Sequence, residues 1–357
     1  MTFTLFPDTR LTLARDALAG LSVGDALGCR FFVPGGAVAP WPDALPPGPW
    51  PWSDDTEMAC SVLSVLATHG RTEPDALALS FATHYDPARR YGAGAVELLE
   101  LIRAGTPWPV AAASAFDGQG SCGNGAAMRV APLGAWHADS TRRAADQARA
   151  SAEVTHAHPE GVAGAVAVAV AASLAARARL DGDRPEPARL LGAVAGALDA
   201  GGEVHRGVRR AAALLGRPAG EVVEAVGNGS RITAQDTVPF TLWVAATLLH
   251  DYPTAIRTCV EAGGDVDTTA AIVGGIVAAH TGVGTPTASP RAGSPPENPC
   301  PWLTTPPDPA PPRPASPHPA ASCRAPPSPR PASPSCRARR ARRARRTLPR
   351  RSWTCGR

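Results

Sequence analysis

Apolar residues recur every three or four positions through most of the chain up to Gly282, and strand-like alternation is almost absent. Leu11, Ala14, Leu18 and Leu21 share one face of a predicted helix that Asp8 or Thr9 can cap. A loop rich in Pro and Gly is expected over 33–51. The next helix starts at Asp54 or Asp55, runs through Met58, Val62, Leu63 and Leu66, and stops at Gly70. Pro74 suits the first position of another, ending near Tyr85. Further helices are predicted near 91–104, 140–156, 159–179, 186–200, 219–227, 237–250 and 253–262. A last one over 266–280 carries Ile272, Val273, Ile276 and Val277. About ten helices joined by Gly-rich loops predict one all-α domain over residues 1–283.

Past Gly282 the pattern stops. Residues 284–357 are rich in Pro, Arg, Ala and Ser, with no periodic apolar positions, so no core can form there and a disordered tail is expected. Two readings stand. One is a basic arm open to nucleic acid or other polyanions. The other, favoured by how abruptly the pattern ends, is text of the kind a GC-rich gene gives in a shifted frame. The tail alters the reading of charge. The whole chain of 357 residues carries a formal +4, but 14 Arg against Glu297 and Asp308 put +12 after residue 283, leaving −8 for the part with folding signals. All 35 basic residues are Arg, which fits coding bias.

Cys29, Cys60, Cys122 and Cys259 fall in the body without a CxxC spacing, so lone thiols in a reducing cytoplasm are expected. The N-terminus lacks the basic start and long apolar core of a signal peptide. The uncharged run Gly161 to Ala176 is too short and too rich in Ala and Gly to span a bilayer. A cytoplasmic, monomeric protein away from membranes is the expectation.

Two acidic clusters bear the candidate chemistry. Ser53, Asp54, Asp55 and Thr56 place hydroxyls and carboxylates within one turn, and Asp265, Asp267, Thr268 and Thr269 repeat the mixture far downstream. Either cluster could simply cap the helix that follows. Each, however, has one carboxylate more than a cap needs, and hard divalent cations take such oxygen ligands. Gly263 and Gly264 would let the backbone beside Asp265 approach a neighbour closely. Three other stretches fit a substrate site. "GQGSCGNGAAMRVAPLG" at 118–134 is a Gly-rich loop running into a helix, where free N–H groups can meet a phosphate. It lacks the Lys of a Walker A loop. "THAHPEG" at 155–161 offers His156 and His158, and Asp25 in "GLSVGDALG" reads as a polar contact between helix and loop.

The ordered series "GLSVGDALG", "WSDDTEMA", "GNGAAMR", "TH" with "HPEG", and "GGDVDTTAAIVGGIVAAHTG" resembles the ADP-ribosylglycohydrolase family, which includes the dinitrogenase reductase-activating glycohydrolases. The resemblance covers about residues 10–282 and implies an all-α fold around a binuclear Mg²⁺ or Mn²⁺ centre. The implied activity is cleavage of the glycosidic bond between ADP-ribose and a protein side chain or small molecule. The implied metal ligands are Ser53, Asp54, Asp55, Asp265, Asp267 and Thr268, with Ser53 where the family usually has Thr. Asp55 and Asp267 are the implied catalytic carboxylates. The loop Ser121, Cys122, Gly123, Asn124, Gly125 and Met128 would hold diphosphate and ribose, and His156 would touch the ribose. Many members carry a Glu shortly after "GDALG"; this chain has Cys29 to Phe32 there instead. Glu57 is not an obvious substitute, because the helix turns it off the ligand face. Two rivals remain: a metal-dependent phosphoesterase acting on nucleotides, and a non-catalytic ADP-ribose-binding protein of the same fold.

Overall fold

The periodic apolar stripes fold as helices. In the computed structural model, which describes residues 4–32, 41, 45 and 47–284, the described residues form fourteen α-helices and no strand, with one isolated antiparallel bridge between Gly123 and Thr233. The first five are α1 Pro7–Phe31, α2 Asp54–His69, α3 Pro74–His84, α4 Ala93–Arg103 and α5 Trp108–Gly118. Next come α6 Ala131–Trp136, α7 Thr141–Glu153, α8 Pro159–Asp181, α9 Pro187–Gly196 and α10 Glu203–Ala213. The last four are α11 Ala219–Val226, α12 Ala234–Thr247, α13 Tyr252–Ala262 and α14 Val266–Thr281. The all-α expectation holds. Most of the expected Pro- and Gly-rich loop, and the tail from residue 285, lie outside the described residues.

Two helices, α5 and α10, exceed the predicted set, and α6 was expected only as the helix that follows the Gly-rich loop. α5 is kinked, with Phe116 and Asp117 at φ 54° and 58°. α6 has six residues, too few for a periodic signal. α10 was legible: Val204, Val208 and Ala211 are its buried face at i, i+4 and i+7. α1 also differs from expectation. It begins at Pro7, with Phe6 rather than Asp8 or Thr9 at the cap position, and continues unbroken through the glycines to Phe31.

The reason is a helix partner. Gly20, Gly24 and Gly28 form one stripe on α1, and α14 lies against it. A methyl group on Gly24 would stand 2.2 Å from the Ala270 carbonyl oxygen, and one on Gly28 would stand 2.6 Å from Asp267 Cα. Glycine normally weakens a helix interior. Here the missing side chains allow two backbones to touch, and the packing outweighs the propensity. α8 packs against α6, α7, α12 and α14 and is apolar all round, as a helix enclosed by others must be. Its 23 residues are long and apolar enough by composition to cross a membrane, which corrects the reading of that run as too short. Burial of 83% of its apolar window makes it a core helix. Cys29 and Cys259 are buried free thiols, as expected of lone cysteines.

Candidate active site

The α1–α14 seam fixes the site. It carries Asp25 on α1 and brings it beside Asp267 in the first turn of α14. Cys29, one turn after Asp25, has its sulfur 3.5 Å from Asp25 Oδ1 and 3.5 Å from Asp267 Oδ2. The Cys29 thiol thus stands between the two carboxylates.

Asp25 is fully buried and caps α2 from across the fold. Its carboxylate accepts from the N–H groups of Ser53 at 2.9 Å and Thr56 at 3.1 Å, and meets their hydroxyls at 2.7 and 2.5 Å. It was read as a polar contact between helix and loop; it is a contact between two helices. Because Asp25 serves the start of α2, Asp54 and Asp55 are released from that duty. Ser53 is the local cap, accepting from Asp55 N at 3.3 Å, and its hydroxyl lies 2.9 Å from Asp55 Oδ2. Asp55 Oδ1 is buried and has no hydrogen-bond partner.

The second cluster is arranged differently. Asp265 occupies the cap position of α14 without a side-chain cap bond. It instead accepts from Asn124 Nδ2 at 2.6 Å, and Asn124 also donates to Thr237 Oγ1 at 3.1 Å. Gly264, at φ 79°, lies against Asn228, so the close approach expected of this glycine is made to another loop. Asp267 Oδ1 accepts from Thr268 N at 3.1 Å, and Thr268 is buried.

The clusters feel each other. Burial, then Ser53 and Thr56 opposing it and Asp267 adding to it, leaves the Asp25 carboxyl pushed up to about 6. Burial first and Asp267 next push Asp265 to about 8. Asp54 and Asp55 are held well above the ordinary carboxylate range by burial, and then by Asp25, Asp267 and Asp265. Like charges in a buried place explain the direction. Oxygen donors from carboxylates and hydroxyls, mutual repulsion, and the orphaned Asp55 Oδ1 fit hard divalent cations. Among the described residues, no three His, Cys, Asp or Glu side chains are already drawn into a coordinating group, since most of the carboxylates turn to hydroxyl and amide donors. Glu57 faces elsewhere, accepting from Tyr91 Oη at 2.8 Å and Asp86 N at 3.0 Å, as the helix geometry required.

The Gly-rich loop lies against "THAHPEG". A methyl group on Gly125 would stand 3.2 Å from His156 Cε1, and one on Gly161 would stand 2.6 Å from the Ser121 carbonyl oxygen. The loop enters a 3-10 turn, Asn124–Ala126, and then the short α6, the helix it was expected to run into. Its N–H groups are partly spent. Gly123 donates to Ser121 Oγ at 3.2 Å, Asn124 to Ile232 O at 3.2 Å, and Ala127 and Met128 to Asn124 O at 2.8 and 3.1 Å. Met128 is buried with its sulfur near Gly125, and Ser121 and Cys122 are half-buried. His156 is buried, whereas His158 caps α8, accepting from Glu160 N at 3.1 Å.

Sequence reasoning missed the segment 227–233, which joins the pieces. Its Asn228 carbonyl faces Asp265 N at 3.4 Å, and Cys122 O accepts from Ala234 N at 2.9 Å. Ile232 is 63% exposed and held at φ 56°, an outlier for a β-branched residue. The Gly227-Asn228-Gly229 run was the available signal. A hollow of about 280 Å³ lined by Arg179, Asp183, Arg184, His250 and His280 lies at the other end of α14 and contains none of this chemistry.

An all-α body that buries two distant acidic helix starts beside a glycine-rich loop defines a class, and residues 7–287 match the family model described as ADP-ribosylglycohydrolase. Mouse ADP-ribosylhydrolase ARH3 is 29% identical over 313 residues, covering 75% of this chain and 84% of that protein. Human ADP-ribosylhydrolase ARH3 is 31% identical over 263 residues, covering 65% and 71%. A solved structure described as an ADP-ribosylglycohydrolase-related protein complex aligns with a TM-score of 0.53 and 27% identity, covering 77% of this chain and 89% of that one. The chain belongs to the ADP-ribosylglycohydrolase family and is a hydrolase of glycosidic bonds.

Proposed function

We propose that the chain cleaves the glycosidic bond joining ADP-ribose to an acceptor, a protein side chain or a small molecule, with two divalent cations, Mg²⁺ or Mn²⁺, at its centre. Ser53, Asp54, Asp55, Asp265, Asp267 and Thr268 would hold them. One observation carries this reading: Asp54 and Asp55 lie within reach of the charges of Asp265 and Asp267, and Asp55 Oδ1 is buried without a partner.

Cleavage at the anomeric carbon passes through an oxocarbenium-like state, normally managed by two carboxyl groups. Cations bound at these residues would supply charge stabilisation and orient the ribose hydroxyls. Asp55 or Asp267 positions the attacking water and takes its proton. The Ser121–Gly125 loop and His156 hold ribose and diphosphate, and Asn124 fixes the orientation of Asp265. With Cys29 beside Asp267 and Glu57 turned away, no further carboxylate serves as base from these positions.

The test incubates the full chain with acceptors ADP-ribosylated on Arg, on Ser, on nucleic-acid ends and on small molecules, with Mg²⁺, Mn²⁺ or EDTA. Release of free ADP-ribose that depends on divalent metal is expected. Release of phosphate would favour a phosphoesterase. Binding of ADP-ribose without turnover of any acceptor would contradict the catalytic reading.

A further inference from the structure

Arg129 is fully buried, and among the described residues no carboxylate pairs with it. Its guanidinium faces the Phe81 ring at 4.5 Å and lies 3.6 Å from Met58 Sδ. It donates to Ser151 O at 2.9 Å and to Thr155 Oγ1 at 2.9 Å. Thr155 Oγ1 in turn lies 2.7 Å from His156 Nδ1. Burying a charge without a counter-ion is costly, so its hydrogen bonds deserve an account.

The three groups admit one consistent proton arrangement. A guanidinium can only donate, so Thr155 Oγ1 accepts from Arg129. The Thr155 hydroxyl has no third partner among the described residues. If His156 Nδ1 carried the hydrogen and donated to Thr155, the threonine proton would be buried without an acceptor. The threonine must therefore donate to Nδ1, which places the imidazole hydrogen on Nε2. That nitrogen faces the Gly-rich loop: a methyl group on Gly123 or on Gly125 would stand 3.4 Å from it. No acceptor among the described residues meets Nε2.

We infer that Arg129 and Thr155 are positioning residues that lock His156 in the Nε2–H tautomer, making it a fixed donor to an acceptor oxygen of the ligand at the Ser121–Gly125 loop. The ligand half of this inference rests on the function proposed above; the tautomer half does not. Burial and the nearby Arg129 charge lower the His156 pKa to about 3, so the ring stays neutral and one nitrogen alone can donate.

The full chain labelled with ¹⁵N-histidine is examined by long-range ¹H–¹⁵N correlation, which reports which ring nitrogen carries hydrogen, and ADP-ribose affinity is measured by calorimetry. Wild type should show Nε2–H. Thr155→Ser should keep both the tautomer and the affinity. Thr155→Val, which keeps the shape and removes the hydroxyl, should strip Nδ1 of its hydrogen bond, read as a changed Nδ1 chemical shift, and weaken ADP-ribose binding about tenfold. A wild-type Nδ1–H signal, or an unchanged Nδ1 chemical shift in Thr155→Val, overturns the relay. The wild-type spectrum decides the tautomer even should Thr155→Val fail to fold. Nε2–H in a wild-type chain that binds no ADP-ribose upholds the tautomer lock and overturns the proposed function instead.

Discussion

Replacing Gly24 with Ala tests the seam that builds the site. The new methyl would lie 2.2 Å from Ala270 O and 2.7 Å from Ala270 C, both backbone atoms that cannot swing aside. Ordinary contact lies near 3.5 Å, so α1 and α14 must part by roughly 1 Å or more. Overpacking of this kind costs about 1–3 kcal/mol, and Ala returns about 0.5–1 kcal/mol of helix propensity. A net loss of about 1 kcal/mol lowers Tm by roughly 2–4 °C for a domain near this size. Gly192→Ala is the internal control. It lies within α9, where an added methyl meets nothing within 4 Å, so the same change should raise stability by about 0.5–1 kcal/mol. Paired thermal melts read both signs. A Gly24→Ala chain that melts at or above wild type would refute the close-packed seam, and with it the explanation of why Asp25 and Asp267 meet.

Other expectations follow from the same geometry. The metal-free chain should lose stability as pH rises from about 4 towards 8, because Asp25 and Asp265 hold protons longer when folded than when unfolded; melts in EDTA at pH 5 and pH 8 check the sign. Arg10→Ala removes one partner of the Asp139 carboxylate, which keeps Arg143 at 2.9 Å, and a donor to Trp136 O at 2.8 Å, and should cost about 1.5–3 kcal/mol by denaturant titration. The exposed pair of Arg206 and Glu203 gives the contrast: solvent screens it, so Arg206→Ala should leave the denaturation midpoint unchanged within error. Ile232→Gly should stabilise the chain by about 1 kcal/mol by relieving its positive φ, measured by the same titration.

Helices with strong stripes and clear punctuation were legible. Gly70 ends α2 in the left-handed conformation at φ 72°, and Pro74, Pro159 and Val266 open their helices near the predicted places. The glycines of α1 were not read correctly, because their purpose is a neighbour more than two hundred residues away and local propensity argues against them. The acidic clusters were visible as residues with more carboxylate than a cap needs. That Asp25 would relieve Asp54 and Asp55 of capping was not, since capping rules look along one helix and this cap comes from another. The bond from Asn124 to Asp265 was hidden for a related reason: it joins a loop read for phosphate to a cluster read for metal.

The central claim is that Asp55 and Asp267 are ligands rather than caps. Asp→Asn at either keeps the shape, and Asn caps a helix about as well as Asp. The most direct measurement is calorimetric titration of Mg²⁺ and Mn²⁺ into wild type, Asp55→Asn and Asp267→Asn, each first shown to be folded by circular dichroism. The account predicts saturable binding in wild type, its loss in both variants, and a fall in ADP-ribose release of about a hundredfold or more alongside it. Metal binding and hydrolysis that persist unchanged in Asp267→Asn would contradict it.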